Sequence, residues 1–493
     1  MQAEKKPLPA ASPERAGLPS RAVEAYVRAL DGERLALHSL LIARKGQLIF
    51  EGYWKPMDAD FRHRLYSCSK SFVSCAVGLL IEQGLLRLED KAIGFFPDKA
   101  PENPHPYLAR MTVRDLLMMA TCYEYGASYH PCDNDWEATF FTGTISHPPG
   151  MVFSYCTTAT TMLCMIIKRV SGKEFTEVLR PVFDELGISR ELYCIQTPCG
   201  HEWGGSGVMA TSREFMKFAL LCMRYGEYEG RQLLPRDYMI QATACQIDNS
   251  LYHASPDEAM GYGYQFWRTR HNGFAFYGMG CQYAICLPDQ DLVVLTTGYE
   301  QLNAKATREI FSALWRGIYP NLSGRPLPEN PEAHGRLLDL AQSLELVKPQ
   351  GAAESETARA VQGRRYRMDE NPMGMEWVEF SFSQDEGRMR YQNRTGEHEL
   401  AFGLGRHLST RFPETHYNGP VIGRPLGRGL NCLNSAAWIS GEELMIYCQV
   451  VDMHLAQLRL AVRFKGDEVC LNALKNAEFF MDEYQGFASG RAE

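Results

Sequence analysis

No uninterrupted apolar run in the 493 residues approaches the ~18 needed to span a bilayer, so no membrane segment is expected. The opening MQAEKKPLPAASPERAG lacks the apolar stretch of a signal peptide, and the expected compartment is the cytoplasm. Positive charge is not in excess. With 51 basic against 59 acidic residues the net charge is -8, which offers no cationic field for phosphates and argues against a nucleic-acid partner. No C-x-x-C or H-E-x-x-H occurs, and the closest cysteine pairs, Cys194 with Cys199 and Cys281 with Cys286, match no zinc or redox spacing. Neither a metal nor a cofactor is expected. A G-x-S-x-G elbow is also missing, since Ser206 stands in GGSGV, and this argues against an α/β-hydrolase triad. No low-complexity tract and no solenoid-like repeat is visible.

What is present is the composition of a globular protein, 45% hydrophobic and 22% charged, with enough apolar side chains for a large core. The chain exceeds the size at which single cores stop growing, so two domains are expected. Its 15 cysteines are dilute and follow no export signal, and they read as reduced thiols, mostly small core residues.

PSRAVEAYVRAL has helical spacing, and HSLLIARKGQLIFEGYW reads as two strands joined at Lys45-Gly46. SKSFVSCAVGLLIEQG carries Phe72, Val73, Ala76, Leu79 and Leu80 on one helical face and stops at Gly84. Further helices are expected in TVRDLLMMA, TTATTMLCMIIKRVSG, TSREFMKFALLCMRYG and KATREIFSALWRGIY, and strands in FAFYGMGCQYAICLP and DLVVLTTGY. From about Asn321 the chain turns Pro/Gly-rich, and beyond Gln362 segments such as MEWVEFSF, GRMRYQN, ELMIYCQVV, AQLRLAVRF and EVCLNAL alternate at strand length. The expected division is 1–325 catalytic, 326–362 a linker with an amphipathic helix, and 363–493 an antiparallel, barrel-like β domain holding neither nucleophile nor base.

In LYSCSKSF, Ser67 and Lys70 are three residues apart, so on a helix their side chains lie one turn apart on one face. A serine hydroxyl is a weak nucleophile, and a lysine of ordinary pKa, about 10.4, stays protonated at neutral pH. Burial against the apolar helix face would lower that lysine toward ~7–8 and let it act as general base. The helix N-terminus would favour negative charge on Ser67. Alone, S-x-x-K is a weak signal that more often marks a capping serine and a surface lysine.

The surrounding stretch FRHRLYSCSKSFVSCAVGLLIEQGLLRLEDKAIGFFPD resembles the nucleophile block of class C β-lactamases, family VIII carboxylesterases and 6-aminohexanoate-oligomer hydrolases. The resemblance runs through MTVRDLLMMATCYEYG, PPGMVFSYCTTATTMLCMIIKRVSGKEFTEVLRPVFDELGI, GVMATSREFMKFALLCMRYGEYEGRQLL and GYGYQFW, about residues 10–320. It implies an α/β (α+β) fold of the β-lactamase/transpeptidase type, an antiparallel sheet flanked by helices. It also implies that Tyr155 is the tyrosine of the Y-x-N motif, relaying protons with the lysine and protonating the leaving group. Here that motif reads Tyr155-Cys156-Thr157, so the family's asparagine is replaced by a hydroxyl. The third motif, K-T-G or H-x-G in the family, is replaced by YGMGCQYAICLP. The resemblance places an oxyanion donor near Gly280, at Cys281 or Gln282; as an alternative, Gly278 and Gly280 form a bulge without chemical duty. Tyr123, Tyr125 and Trp136, in an aromatic stretch between the first two motifs, are candidate substrate contacts or simple packing, Thr157 is a further candidate substrate contact through its hydroxyl, and His63 and His130 read as structural.

Together these readings point to a cytoplasmic serine hydrolase for a small ester or amide, with Ser67, Lys70 and Tyr155 catalytic and no cofactor. An acyltransferase using the same acyl-serine and a catalytically silent binding protein on this fold are the alternatives. The oligomeric state is not legible.

Overall fold

A computed structural model describes residues 6–124, 135–252, 255–300, 304–414, 429–477, 481 and 484–493. The chain divides into two compact units, Met1–Leu346 and Val347–Glu493.

The first unit is organised around a six-stranded antiparallel sheet in the order Gln47–Tyr53, Leu37–Arg44, Leu292–Gly298, Gln282–Leu287, Phe274–Gly278, Trp267–Arg268. The hairpin at Lys45-Gly46 closes with both turn residues at positive φ, 51° and 74°, the geometry whose twist matches that of the strands it joins. Leu37–Arg44 and Leu292–Gly298 are buried along their whole length, so their polar members must find partners inside. Ser39 does so by sharing hydrogen bonds of 2.7 Å with both Thr297 and Ser212. Alternation along Gln282–Leu287 shows what covers each face: the Cys286 thiol meets the carbonyl of Ala219 on the helix Ser212–Met223, while the Tyr283 hydroxyl meets Thr307 on the helix Ala304–Ala313.

The helix Ser69–Glu82 packs against Thr157–Ser171 and has 11 of its 14 residues buried, so it lies inside the unit and not on its surface. Phe72 anchors it, stacked on Phe218 at 4.1 Å and edge-on to Phe183 and Phe276. Its serines bond outward where an exposed helix would leave them to water. The Ser69 hydroxyl accepts from Val208 N (3.0 Å), Ser71 donates to Gln265 O (2.7 Å), and Ser74 pairs with the Tyr238 hydroxyl (2.9 Å). Gln265, itself buried with φ 64°, accepts from Thr160 and donates to the carbonyls of Leu116 and Leu117. One residue thus ties three helical segments together.

The second unit is a closed barrel. Nine strands run Gly396–Leu404, Glu386–Asn393, Trp377–Ser383, Arg365–Met368, Gly486–Ala492, Glu468–Asn476, Leu455–Lys465, Glu443–Val451, Asn431–Trp438, and the ring closes where Gly403 and Leu404 pair in parallel with Ser435 and Ala436. Leu408–Arg411 adds an outer strand. The interior is filled by side chains, among them Phe380, Phe464 and Trp438, with Phe464 5.2 Å from Phe380 and 5.9 Å from Trp438. The β-rich fold expected here is therefore a packed barrel, and four of its nine strands, with the outer Leu408–Arg411, go beyond those legible in the sequence. Asn431–Trp438 shows why: seven of its eight residues are buried, including Asn434 and Ser435, so no polar/apolar alternation marks it. The stretch 326–362 expected as a linker is shared between the units. Its helix, Pro331–Ser343, packs on Ser20–Gly32 in the first.

Because Phe72 lies at the centre of a ring cluster, F72A should lower stability by about 3–5 kcal/mol in urea denaturation. L85A, at a side chain 48% exposed, should change it by less than about 0.5 kcal/mol.

Candidate active site

The approach to Ser67 is fixed by a short sheet. Arg62–Arg64 pairs with Val208–Thr211, and Leu65 N continues the pairing to Val208 O at 2.8 Å. Tyr66 then takes φ 49°, a left-handed conformation costing a non-glycine residue on the order of 1–3 kcal/mol. Its ring is held in place: the buried Arg64 guanidinium lies 4.2 Å from the Tyr66 ring and 4.7 Å from the Trp203 ring, and donates to Ser206 O and Oγ at 3.0 and 2.8 Å. Ser67 follows, half-buried, in the turn Tyr66–Cys68 that opens the helix Ser69–Glu82.

Lys70 is buried, and three oxygens surround its Nζ. Ser67 Oγ is 3.3 Å away, Thr157 Oγ1 is 3.2 Å away, and Gly205 O accepts the third bond. The Nζ also lies 5.3 Å from the centre of the Tyr155 ring. Burial lowers the lysine to about 7, outweighing the upward pull of the neighbouring Cys156, Cys164 and Cys68 thiols. Near neutrality a large fraction of Lys70 is therefore the free amine, able to accept a proton from Ser67. Tyr155 is packed against Trp267, ring centres 5.5 Å apart, and the Ser67 side chain acts on its phenol. Burial pushes this phenol well above its ordinary range, so it remains protonated. A free Lys70 amine can accept a proton and a protonated Tyr155 phenol can donate one.

Thr157, first residue of the helix Thr157–Ser171, stands beside the lysine as a hydroxyl acceptor. Its partner across the lysine, Gly205, has no room for a side chain: a Cβ there would lie 2.7 Å from Thr157 Cγ2. Neither Arg64 nor Gly205 was singled out by sequence reasoning. The available signal was the run Gly204-Gly205-Ser206-Gly207, four small residues in succession, which marks close backbone approach.

The altered third motif is a hairpin end. Gly278 and Gln282 pair, and the intervening loop has Gly280 at φ 82° and Cys281 at φ 74°. A Cβ on Gly278 would lie 2.5 Å from Leu65 O and 3.1 Å from Cys68 Sγ, so the closest approach to the serine segment falls at Gly278. The Cys68 thiol donates to Gln282 O at 3.0 Å. The Gln282 side chain is buried and structural: it donates to Met279 O and Gly298 O at 2.8 and 2.9 Å and accepts from Gly298 N at 2.9 Å.

Of the expected aromatic contacts, Tyr123 is buried edge-on to Phe140 at 5.2 Å. Trp136 is buried in Trp136–Phe140, its backbone N–H donating to Cys199 Sγ at 3.2 Å. Both have the surroundings of packing residues. Tyr125 and His130 lie outside the described residues. His63 is buried against His38, the ring nitrogens 2.8 Å apart, and burial lowers it to about 4, so it is a neutral structural histidine. The rings that do flank Tyr155 are Phe153, Tyr262 and Trp267, at 6.4, 6.3 and 5.5 Å. Among the described residues no three His, Cys, Asp or Glu side chains are grouped as metal ligands.

The family model described as Beta-lactamase matches residues 23–313, more than half of the chain. The chain belongs to the β-lactamase family. A 6-aminohexanoate-dimer hydrolase of Paenarthrobacter ureafaciens is 22% identical over 276 residues, covering 50% of this chain and 68% of that protein. A Bacillus anthracis structure provisionally given the same hydrolase name superposes with TM-score 0.51 at 19% identity, over 64% of this chain and 89% of its own. A family VIII carboxylesterase structure gives TM-score 0.47 at 14% identity, over 62% of this chain and 98% of its own. The family match and the likeness to the Bacillus anthracis structure show the β-lactamase/transpeptidase fold of the first unit.

Within this β-lactamase-family site, G205A should drive Thr157 away from Lys70. The rate at which a fluorophosphonate labels the protein should fall at least about tenfold. G94A, where nothing lies within 4 Å of the added Cβ, should leave that rate unchanged.

Proposed function

We propose that the protein is a serine hydrolase for a carboxylic ester or small amide, working through an acyl-Ser67 intermediate. The observation that carries this reading is the buried Lys70 amine 3.3 Å from Ser67 Oγ with its pKa near 7. Neutral Lys70 takes the hydroxyl proton as Ser67 Oγ attacks the carbonyl carbon and the carbonyl π pair moves onto oxygen. The oxyanion is held by the Ser67 backbone N–H together with one from the hairpin Gly278–Gln282, the segment pressed against Leu65 and Cys68. Collapse of the tetrahedral species breaks the bond to the alcohol or amine, which leaves with a proton from Tyr155, and that proton is replaced from Lys70. Water then attacks the acyl-serine with Lys70 again as base. Release of the acid returns Ser67, Lys70 and Tyr155 to their starting forms.

Transfer of the acyl group to an alcohol or amine instead of water needs no change in these residues and is the second reading. No helix among the described residues is long and apolar enough to cross a membrane. The described cysteines are free, including Cys75 and Cys222 with sulfurs 3.7 Å apart, which supports a reducing, cytoplasmic setting.

S67A should lose both turnover and fluorophosphonate labelling while its folding is unaffected, and a variant that stays active removes Ser67 as nucleophile. For wild type, kcat/KM should rise with pH through an apparent pKa near 7 and level off above it, because the lysine must be neutral to act. K70R keeps the charge but cannot supply a base, so it should be as inactive as K70A across that range. Activated carboxylic esters should be hydrolysed far faster than benzylpenicillin. Thr157 offers one hydroxyl where the family has a carboxamide, and Phe274–Gly278 carries no lysine for a lactam's carboxylate. Efficient penicillin turnover in a spectrophotometric assay would overturn this.

A further inference from the structure

Beside Tyr155, aromatic rings continue to the surface. Phe153 lies 5.2 Å from Tyr252 and 5.1 Å from Tyr262, and Tyr262 meets Trp267 edge-on at 5.2 Å. Where this run reaches solvent, the exposed side chains are apolar. Met151 is 70% exposed, Val152 53%, Leu251 101%, Tyr252 47% and Met260 44%. These five are the majority of the nine exposed large hydrophobics in the first unit's described residues, so the concentration is local. Three short segments bring them together. Met151 and Val152 directly precede Phe153. The buried Asn249 joins the Leu251-Tyr252 turn to the Met260 loop, donating to Glu258 O at 2.8 Å and accepting from Gly261 N at 2.7 Å.

The nearby acidic groups are already engaged. Glu258 accepts from the Tyr277 hydroxyl, Asp257 pairs with Arg270 at 2.7 Å and accepts from Trp315 at 2.8 Å, and Asp248 accepts from Ser250 at 2.8 Å. The side chains the surface itself presents are apolar, which suits an uncharged chain. Exposed apolar patches of this kind, continuous with a reaction centre, mark ligand or partner contact.

We propose that the surface of Met151, Val152, Leu251, Tyr252 and Met260, continuous through Phe153 with Tyr155, is the subsite for an extended apolar chain on the substrate's leaving group. The side follows from the proposed reaction, on which this inference rests: Tyr155 protonates the departing oxygen or nitrogen, and the surface adjoins Tyr155 through Phe153 and Tyr252, each 6.4 Å from its ring. The substrate class is then an ester or amide whose alcohol or amine half is a medium to long alkyl or arylalkyl group.

Two ester series separate the possibilities: butyrates of alcohols from methyl to octyl, and 4-nitrophenyl esters of acids from acetate to decanoate. Each methylene added to the alcohol should raise kcat/KM by about three- to fourfold until the surface is covered, as expected for apolar burial. The acyl series should show no comparable gradient. In the variant M151S/L251S the octyl-to-methyl ratio should fall at least about fivefold. A flat alcohol series, a gradient confined to the acyl series, or an unchanged ratio in the variant overturns the proposal. Failure of the catalytic reading is distinguished by fluorophosphonate labelling of Ser67 and by calorimetry on S67A. There 1-octanol should bind at least about tenfold more tightly than 1-butanol, and M151S/L251S should remove the difference. Equal binding of the two alcohols, or a difference that survives the substitutions, overturns the subsite whatever the chemistry at Ser67.

Discussion

The arrangement of the first unit depends on one constraint, a lysine amine kept out of water. A buried ammonium without partners would cost several kcal/mol, and a buried amine without partners would be poorly oriented. Ser67, Thr157 and Gly205 meet this by supplying three oxygens from three segments of the chain. Each segment is then restricted by the lysine it serves. The Gly205 segment must approach so closely that a Cβ is excluded, the helix Thr157–Ser171 must begin with a hydroxyl at this point, and the serine helix must be buried nearly all round. The same geometry explains how threonine can occupy the family's asparagine position beside the lysine: an oxygen acceptor is what the lysine requires there.

A second constraint acts on the nucleophile. Tyr66 is strained, and strain persists only where the surroundings over-determine it. Arg64 supplies much of that, lying close to the rings of both Tyr66 and Trp203 while bonded to Ser206. One guanidinium therefore links the strained turn to the glycine-rich segment that carries Gly205. Its positive charge also disfavours protonation of Lys70, so it positions the serine and helps hold the lysine neutral.

The parts legible in the sequence are those governed by local rules. The Lys45-Gly46 hairpin, the helices with apolar faces and the S-x-x-K spacing each follow from neighbours within a few residues. What escaped was decided by distant packing. Gly204-Gly205-Ser206-Gly207 looked like a failed hydrolase elbow, because its partners Cys164, Thr157 and Arg64 lie far away in the chain. Tyr123 and Trp136 attracted notice by residue type, whereas Phe153, Tyr262 and Trp267, which flank Tyr155, sit in segments whose periodicity gives no hint of a site. In the barrel, Asn431–Trp438 was missed because burial of nearly every residue erases the period-two pattern.

Burial acts in opposite directions on Lys70 and Tyr155, the base and acid of the proposed reaction. A low-polarity setting favours the uncharged form of any group, which lowers a lysine and raises a tyrosine. Both shifts are present here, and both have burial as their largest cause. Above about pH 7 the pair is thus mostly a neutral amine and a neutral phenol, so one group can accept a proton and the other can give one at the same pH. Had the chain placed a carboxylate beside the lysine, the ammonium would have been favoured and the base lost. The site's three acceptors are instead two hydroxyls and a carbonyl, each uncharged, which satisfy the lysine's hydrogen bonds without an opposing full charge to fix its proton.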